Sequence, residues 1–146
     1  MQAKQLMIND WVQLMKLNKE IEYAQVEAID KGGMITLSNG KTVGVDYLSP
    51  VTLTAEILVK NGFKARSNGI SSLPHYKYRE GNDEINVTLY TSSTEIEYLN
   101  IVPNYDDPDE VNYGHSFEIP RIISVHELQH IFALCDFIDI TDNFKL

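Results

Sequence analysis

The residues best suited to chemistry are His126, Glu127 and His130, which form a His-Glu-x-x-His pattern near the end of the chain. On a helix the two histidines share one face, so they can bind one Zn²⁺ while the glutamate acts as a general base. A catalytic zinc also needs a third ligand, which in the long form of this motif follows a glycine. Ala133 stands at the glycine position and Asp136 at the ligand position. One hypothesis is therefore a minimal zinc hydrolase with Glu127 as base, and with the two histidines and Asp136 as ligands.

The same stretch also has a purely structural interpretation. Residues 121–136 give the clearest helical pattern in the chain, because their apolar side chains recur at the spacing that aligns them on one stripe of a helix. The stripe consists of Val125, Leu128, Ile131, Phe132 and Cys135. Both histidines fall on the opposite face. The pattern therefore predicts a surface helix with two solvated imidazoles and a cysteine that acts as a small core hydrophobe.

Two further features weaken the zinc hypothesis. Ser124 and Glu127 have the spacing of a capping box, which gives the glutamate a structural role at the start of the helix. Ala133 favours continuation of the helix, and a continuous helix would aim Asp136 away from the histidines. Other candidate ligands, which follow no recognised spacing, are His75, His115, Asp139 and Asp142. The residues themselves therefore assign no catalytic, cofactor-binding or metal-binding position, and zinc with these ligands stays an alternative.

Composition restricts the class of protein. A length of 146 residues suits one domain, and 43% hydrophobic residues suffice for a core. Twelve Lys and Arg against 21 Asp and Glu leave a net charge of −9, which would repel a phosphate backbone and argues against direct nucleic-acid binding. The N-terminal sequence lacks the pattern of a secretory signal, and no apolar run reaches membrane-spanning length. We therefore expect a cytoplasmic protein that does not enter a membrane.

The first part of the chain, residues 1–50, predicts a small antiparallel sheet. Its alternating runs are separated by turns at Gly32-Gly33 and Asn39-Gly40, and the second of these favours a two-residue type I′ hairpin. Trp11 is the expected anchor of the core. Short strands joined by tight turns indicate a β-meander or an SH3-like barrel.

The second part, residues 51–146, predicts helices and a second antiparallel sheet. Thr54 and Gly62 have the types and positions of the N-cap and C′ residues of a short helix. Strand patterns follow at 63–66, 76–79, 84–90, 96–102 and 115–120. The acidic segment 104–114 is typical of a solvated loop. The predicted class is α+β, in which both parts form one unit and the final helix packs across the second sheet.

One predicted strand carries a notable alternation. His75-Tyr-Lys-Tyr-Arg79 places two tyrosines on one face and two cations on the other. The pattern fits a strand that faces a ligand. It also fits an edge strand with one half-buried face, and this more ordinary interpretation is the one we prefer.

Three segments, 6–12, 48–63 and 124–135, together resemble a family of small uncharacterised Bacteroides and prophage-associated proteins. Its members typically read Arg-Ile-Gly-Asn-Trp-Val near the start, Pro-Ile-Pro-Leu-Thr-Glu-Glu in the middle and Val-His-x-Leu-Gln at the end. The last motif corresponds to His126, Leu128 and Gln129. The resemblance implies that Glu127 and His130 can be replaced by Gln or Asn, which would remove the base and a ligand. It implies no activity, and residues 65–120 lie outside it.

Two hypotheses from different classes follow. The first is a non-enzymatic binding or accessory module of a bacterial or prophage genome, which would contact a protein partner through a patch on a β-surface. The second is the zinc hydrolase described above. The sequence predicts no particular oligomeric state and does not identify the partner.

Overall fold

The structure, a computed structural model, describes residues 2, 5–15, 20–66, 74–81, 83–89, 96–102, 115–117 and 124–146. In these ranges the chain forms two antiparallel sheets and three α-helices, so the predicted α+β class is confirmed. The chain groups into two compact units. The first contains Met1–Thr52 and Ser124–Asp142, and the second contains Leu53–Ile123 and Asn143–Leu146. Among the helices in the described ranges, none is long and apolar enough to span a bilayer.

The first unit contains a five-stranded antiparallel sheet. Its strands are β1 (Trp11–Met15), β2 (Ile21–Ile29), β3 (Met34–Leu37), β4 (Thr42–Gly44) and β5 (Leu48–Pro50). Their order is β4-β3-β2-β1-β5, so a meander of four strands is followed by a fifth that returns to pair with the first. This is the meander predicted for residues 1–50, with the strand order of an SH3-like sheet.

Alternation along the strands decides which side chains enter the core of this sheet. Val12, Val26 and Ile35 are 0% exposed, and burial of each such side chain contributes about 1.5–3 kcal/mol. Leu14 lies on the same face as Val12, two positions along the strand. Trp11 lies on the other face and is half-buried, so its prediction as the core anchor is wrong.

The hairpin between β3 and β4 differs in type from the prediction. Gly40 has φ +80°, whereas Asn39 has a negative φ, and a type I′ turn needs a positive φ at both positions. The N–H of Leu37 donates to the carbonyl of Lys41 at 2.8 Å, which leaves residues 38–40 as a three-residue loop. Only Gly40 needs the left-handed conformation in such a loop, and glycine adopts it at no steric cost.

The second unit begins with helix α1 (Ala55–Lys60), whose ends are those predicted. The Thr54 hydroxyl accepts a hydrogen bond from the N–H of Ile57 at 3.3 Å, and Gly62 leaves the helix with φ +86°. The Asn61 side chain then binds both backbone groups of Lys145, each at 2.7 Å. The end of α1 is therefore tied to the C-terminal residues of the chain.

The second sheet is a simple meander. Its strands are β6 (Lys64–Arg66), β7 (His75–Glu80), β8 (Asp83–Leu89), β9 (Ile96–Val102) and β10 (His115–Phe117), in the order β10-β9-β8-β7-β6. Strand β7 lies between β6 and β8, so the interpretation of residues 75–79 as an edge strand is wrong. The predicted acidic loop at 104–114 lies outside the described residues.

Two helices end the chain. The N-cap Ser124 precedes α2 (Val125–Leu134), and α3 (Ile138–Asn143) follows after a short break. The predicted helix 121–136 is therefore too long at its C-terminal end, because Asp136 adopts φ +59° and cannot continue it. Helix α3 was not predicted. Helix α2 belongs to the first unit, although the sequence-based division places it in the part after residue 50.

Candidate functional site

The first turn of α2 fixes Glu127 in a structural role. Its Oε2 accepts hydrogen bonds from the backbone N–H of Ser124 at 3.3 Å and from the Ser124 hydroxyl at 2.8 Å, as part of the predicted capping box. The N–H of Val125 donates to the carbonyl of Val51 at 2.9 Å. The carboxylate of the candidate general base is therefore engaged in holding the start of the helix, although its residue remains exposed.

His126 is not a solvated surface residue. It is 6% exposed, and its ring meets that of His130 edge-on with 5.8 Å between the centroids. Burial lowers the pKa of His126, and this effect exceeds the opposing influence of the carboxylates of Asp10 and Glu127. Its Nδ1 is buried and has no hydrogen-bond partner among the described residues. The prediction of two solvated histidines is therefore wrong, because His126 lies in the interior, where burial favours the neutral imidazole.

His130 is held by a carboxylate from the other end of the chain. Its Nε2 lies 3.0 and 2.9 Å from the two carboxylate oxygens of Asp10, which is 2% exposed. The same carboxylate accepts a hydrogen bond from the N–H of Met7 at 2.7 Å. A buried carboxylate is costly unless it is hydrogen-bonded, so these donors explain how Asp10 is tolerated there.

Gln129 completes this attachment of α2 to the start of β1. Its Oε1 accepts from the N–H of Trp11 at 3.0 Å, and its Nε2 donates to the carbonyl of Asn9 at 3.1 Å. Asn9 has φ +72°, which turns the chain at this point. We call the contacts of Gln129 and His130 with residues 9–11 the corner clasp.

The corner clasp could not be identified from the sequence. The partners Asp10 and His130 are separated by 120 positions, and local patterns carry no information on such pairs. Gln129 offers one weak signal, because it is a polar residue next to the apolar Leu128 in the middle of the helix. It is 4% exposed, which fits an amide whose donor and acceptor are both satisfied.

Two of the alternative zinc ligands, His126 and His130, are neighbours, but the third, Asp136, does not join them in a metal-binding group. Asp136 is exposed at the break after α2, and the described part of the chain contains no group of three or more His, Cys, Asp or Glu that could hold a metal ion. Asp139 and Asp142 lie on α3, and His75 lies on β7 of the second unit. Cys135 is half-buried, and burial together with the charge of Asp136 raises the pKa of its thiol. The thiol therefore stays protonated at neutral pH, which disfavours nucleophilic chemistry.

The outer face of the first sheet carries exposed apolar side chains. Met15 and Ile21 lie directly opposite each other on β1 and β2, and they are 57% and 52% exposed. Tyr23, on the same face of β2, is 50% exposed. We call Met15, Ile21 and Tyr23 the outer patch. Exposed apolar side chains that stand together, rather than singly, are typical of interaction sites.

The fold and these contacts define a small α+β protein in which the His-Glu-x-x-His residues hold a helix to a sheet. Comparison of the sequence with protein families, curated proteins and solved structures found no match. The functional proposals below therefore rest on the geometry of the chain itself.

Proposed function

We propose that this protein is a non-enzymatic binding module that contacts a protein partner through the outer patch. The observation that carries the proposal is the adjacency of Met15, Ile21 and Tyr23, each at least half exposed, on two paired strands. Strands hold such side chains in fixed positions, so little conformational entropy is lost when a partner covers them. The resemblance to prophage-associated proteins supports an accessory role in a bacterial or prophage genome.

Charge indicates the chemistry of the partner. The chain as a whole carries a net charge of −9. Complementary potentials speed association and exclude wrong partners. The protein is therefore suited to a basic partner that covers the outer patch with an apolar surface. Binding to such a partner should weaken as ionic strength rises.

The engagement of the His-Glu-x-x-His residues supports a function without catalysis. Glu127 is used in the capping box and His130 binds Asp10. A zinc hydrolase would need both side chains to be available to the metal and the attacking water. In the arrangement described here, recruiting them would release a buried carboxylate and uncap α2.

The test uses matched baits in a lysate of the organism that carries the gene. Ile21→Lys and Tyr23→Lys alter the outer patch, and Val59→Lys is the control, because Val59 is an equally exposed apolar residue at 54% on α1 of the second unit. We expect the same basic protein to be captured by the wild type and the control and to be lost from both patch variants. Capture of this protein by the patch variants as well as by the wild type would contradict the proposal. A concentration-dependent dimer that Ile21→Lys abolishes would also contradict it, because the outer patch would then bind a second copy of the same chain.

Metal content separates the proposal from the hydrolase. Elemental analysis of untagged protein should show no zinc bound in proportion to protein, including after incubation with Zn²⁺ and dialysis. Near-stoichiometric zinc that disappears in His126→Ala, together with a hydrolytic activity lost in Glu127→Gln, would establish the hydrolase instead. Glu127→Gln is suited to this because the amide oxygen can still accept the capping hydrogen bonds.

A further inference from the structure

The second unit contains a concentration of positive charge that is unusual for this acidic chain. Four of the twelve lysine and arginine residues surround one cleft of about 380 Å³. The cleft is lined by Gly62, Lys64, Arg66, Lys77, Tyr78 and Arg79. We call it the basic cleft.

Strand pairing explains why the cations meet. Lys64 of β6 lies directly opposite Lys77 of β7, and Arg79 stands two positions further along β7, on the same face as Lys77. Like charges directly opposite each other destabilise a sheet unless an anion lies near them. One such anion belongs to the protein. Glu84 of β8, which is 3% exposed, forms an ion pair with Lys77 and lies 2.9 Å from Nε of Arg79.

Glu84 is a fixed negative charge that satisfies only part of this cluster. Burial would raise the pKa of Glu84, but hydrogen bonds from Lys77, Arg79 and Asn86 outweigh burial and hold the pKa below its usual value. Glu84 pairs with the two cations of β7, and the cleft holds two further cations on β6. Lys64 and Arg66 are exposed, and neither forms an ion pair with any residue in the described ranges.

Two further carboxylates of the described residues lie on β7 and β8. Glu80 and Asp83 lie opposite each other at the turn between β7 and β8, and Glu80 accepts a hydrogen bond from the hydroxyl of Tyr78 at 3.3 Å. Neither lines the cleft. Within the described ranges, the cleft cations that form no ion pair are therefore Lys64 and Arg66 of β6.

The cations lie on one face of the sheet and the ring of Tyr78 lies on the other, because side chains alternate along β7. The ring of Tyr78 packs against that of Phe63 with 5.2 Å between the centroids, which fixes the start of β6 against β7. Recognition at the cleft therefore depends on the four cations that line it.

We propose that the basic cleft binds a small phosphorylated molecule, with Lys64 and Arg66 as its principal phosphate ligands. Arginine can form two parallel hydrogen bonds to a phosphate, and lysine supplies a mobile point charge. The volume of the cleft falls within the range of small-molecule sites. A long polyanion is disfavoured, because the net charge of −9 over the rest of the chain would repel its additional phosphates.

The test is titration calorimetry with inorganic phosphate, AMP and a single-stranded oligonucleotide. The variants are Lys64→Gln and Arg66→Gln, and the control is Lys31→Gln, because Lys31 is an exposed cation in a turn of the first unit. We expect AMP to bind at one site, and its affinity to fall about tenfold in each cleft variant, as expected for loss of a charge-assisted hydrogen bond. Lys31→Gln should leave the affinity unchanged.

Each other outcome has a defined meaning. Equal affinities for phosphate and AMP would support the phosphate ligands but place the organic part outside the cleft. Tighter binding of the oligonucleotide than of AMP would overturn the proposal in favour of nucleic acid. No binding below about 10 mM, or binding that the two cleft substitutions leave unchanged, would also overturn it. Both substituted side chains are exposed, and Lys64→Gln relieves the repulsion with Lys77, so thermal unfolding should confirm that the variants stay folded.

Discussion

The corner clasp makes Gln129 the most informative single position in the first unit. Gln129→Leu keeps a side chain of similar volume but removes the hydrogen bonds with Trp11 and Asn9, at 3.0 and 3.1 Å. The N–H of Trp11 would then lose its hydrogen bond with Gln129, which is 4% exposed, whereas the carbonyl of Asn9 would still accept from the amide of Gln25 at 3.3 Å. Each buried unpaired group costs about 1–3 kcal/mol. We therefore expect a loss of about 1–3 kcal/mol in the free energy of unfolding, against the ~5–15 kcal/mol that stabilises a typical domain.

The assay is urea unfolding at neutral pH, followed by circular dichroism. Gln25→Leu is the matched control, because the amide of Gln25 also donates to the carbonyl of Asn9, at 3.3 Å, but from an exposed position where water can replace it. We expect the control to lose less than about 1 kcal/mol. Gln129→Glu adds a test of hydrogen bonding, since a carboxylate can accept from Trp11 but cannot donate to Asn9. Equal losses in Gln129→Leu and Gln25→Leu would refute the structural role of the clasp.

Two further predictions concern the ends of α2. The pKa of His126 in the folded state lies below its ordinary value of 6.5. The folded state therefore binds fewer protons than the unfolded state as the solution becomes acidic. The stability present above pH 6.5 should fall as pH is lowered through the folded pKa. His126→Gln should reduce this loss, which urea unfolding at neutral and mildly acidic pH measures. If the free energy of unfolding depended on pH equally in the variant and the wild type, His126 would not be its cause. Asp136→Gly should raise the free energy of unfolding by up to about 1 kcal/mol, because it relieves a positive φ of 59° and removes a negative charge from a helix C-terminus. Asp139→Gly, at the first turn of α3, should lower the free energy of unfolding. Thermal unfolding compares the two variants, and a change of stability in the same direction in both would refute this reasoning.

Local signals predicted most of the elements. The boundaries of α1 follow from Thr54 and Gly62, whose roles depend only on their immediate neighbours. Alternation predicted the strands of both sheets except β5, whose three residues Leu48–Pro50 are too few to show a pattern. The position of β7 inside its sheet could not be predicted in this way, because its neighbours are chosen by pairing with β6 and β8 and not by its own sequence. The turn at Asn39-Gly40 was located correctly but assigned the wrong type, since loop length depends on the register of both strands.

In the candidate site, too, local features were predicted and contacts between distant parts of the sequence were not. The capping box of Ser124 and Glu127 is local and was predicted. The burial of His126 was missed because a helical projection assumes one buried stripe, whereas α2 also buries the face that carries His126 and Gln129. This second face is buried because residues 9–11 form hydrogen bonds with the helix through the carboxylate of Asp10, the carbonyl of Asn9 and the N–H of Trp11.

Burial along α2 agrees with a structural role for its first two turns. His126, Leu128 and Gln129 are 6%, 0% and 4% exposed. Glu127 is exposed but caps the helix, and His130 is partly buried and binds Asp10. These contacts attach α2 to the start of β1. Function should then be sought on the surfaces that the fold presents, the outer patch and the basic cleft.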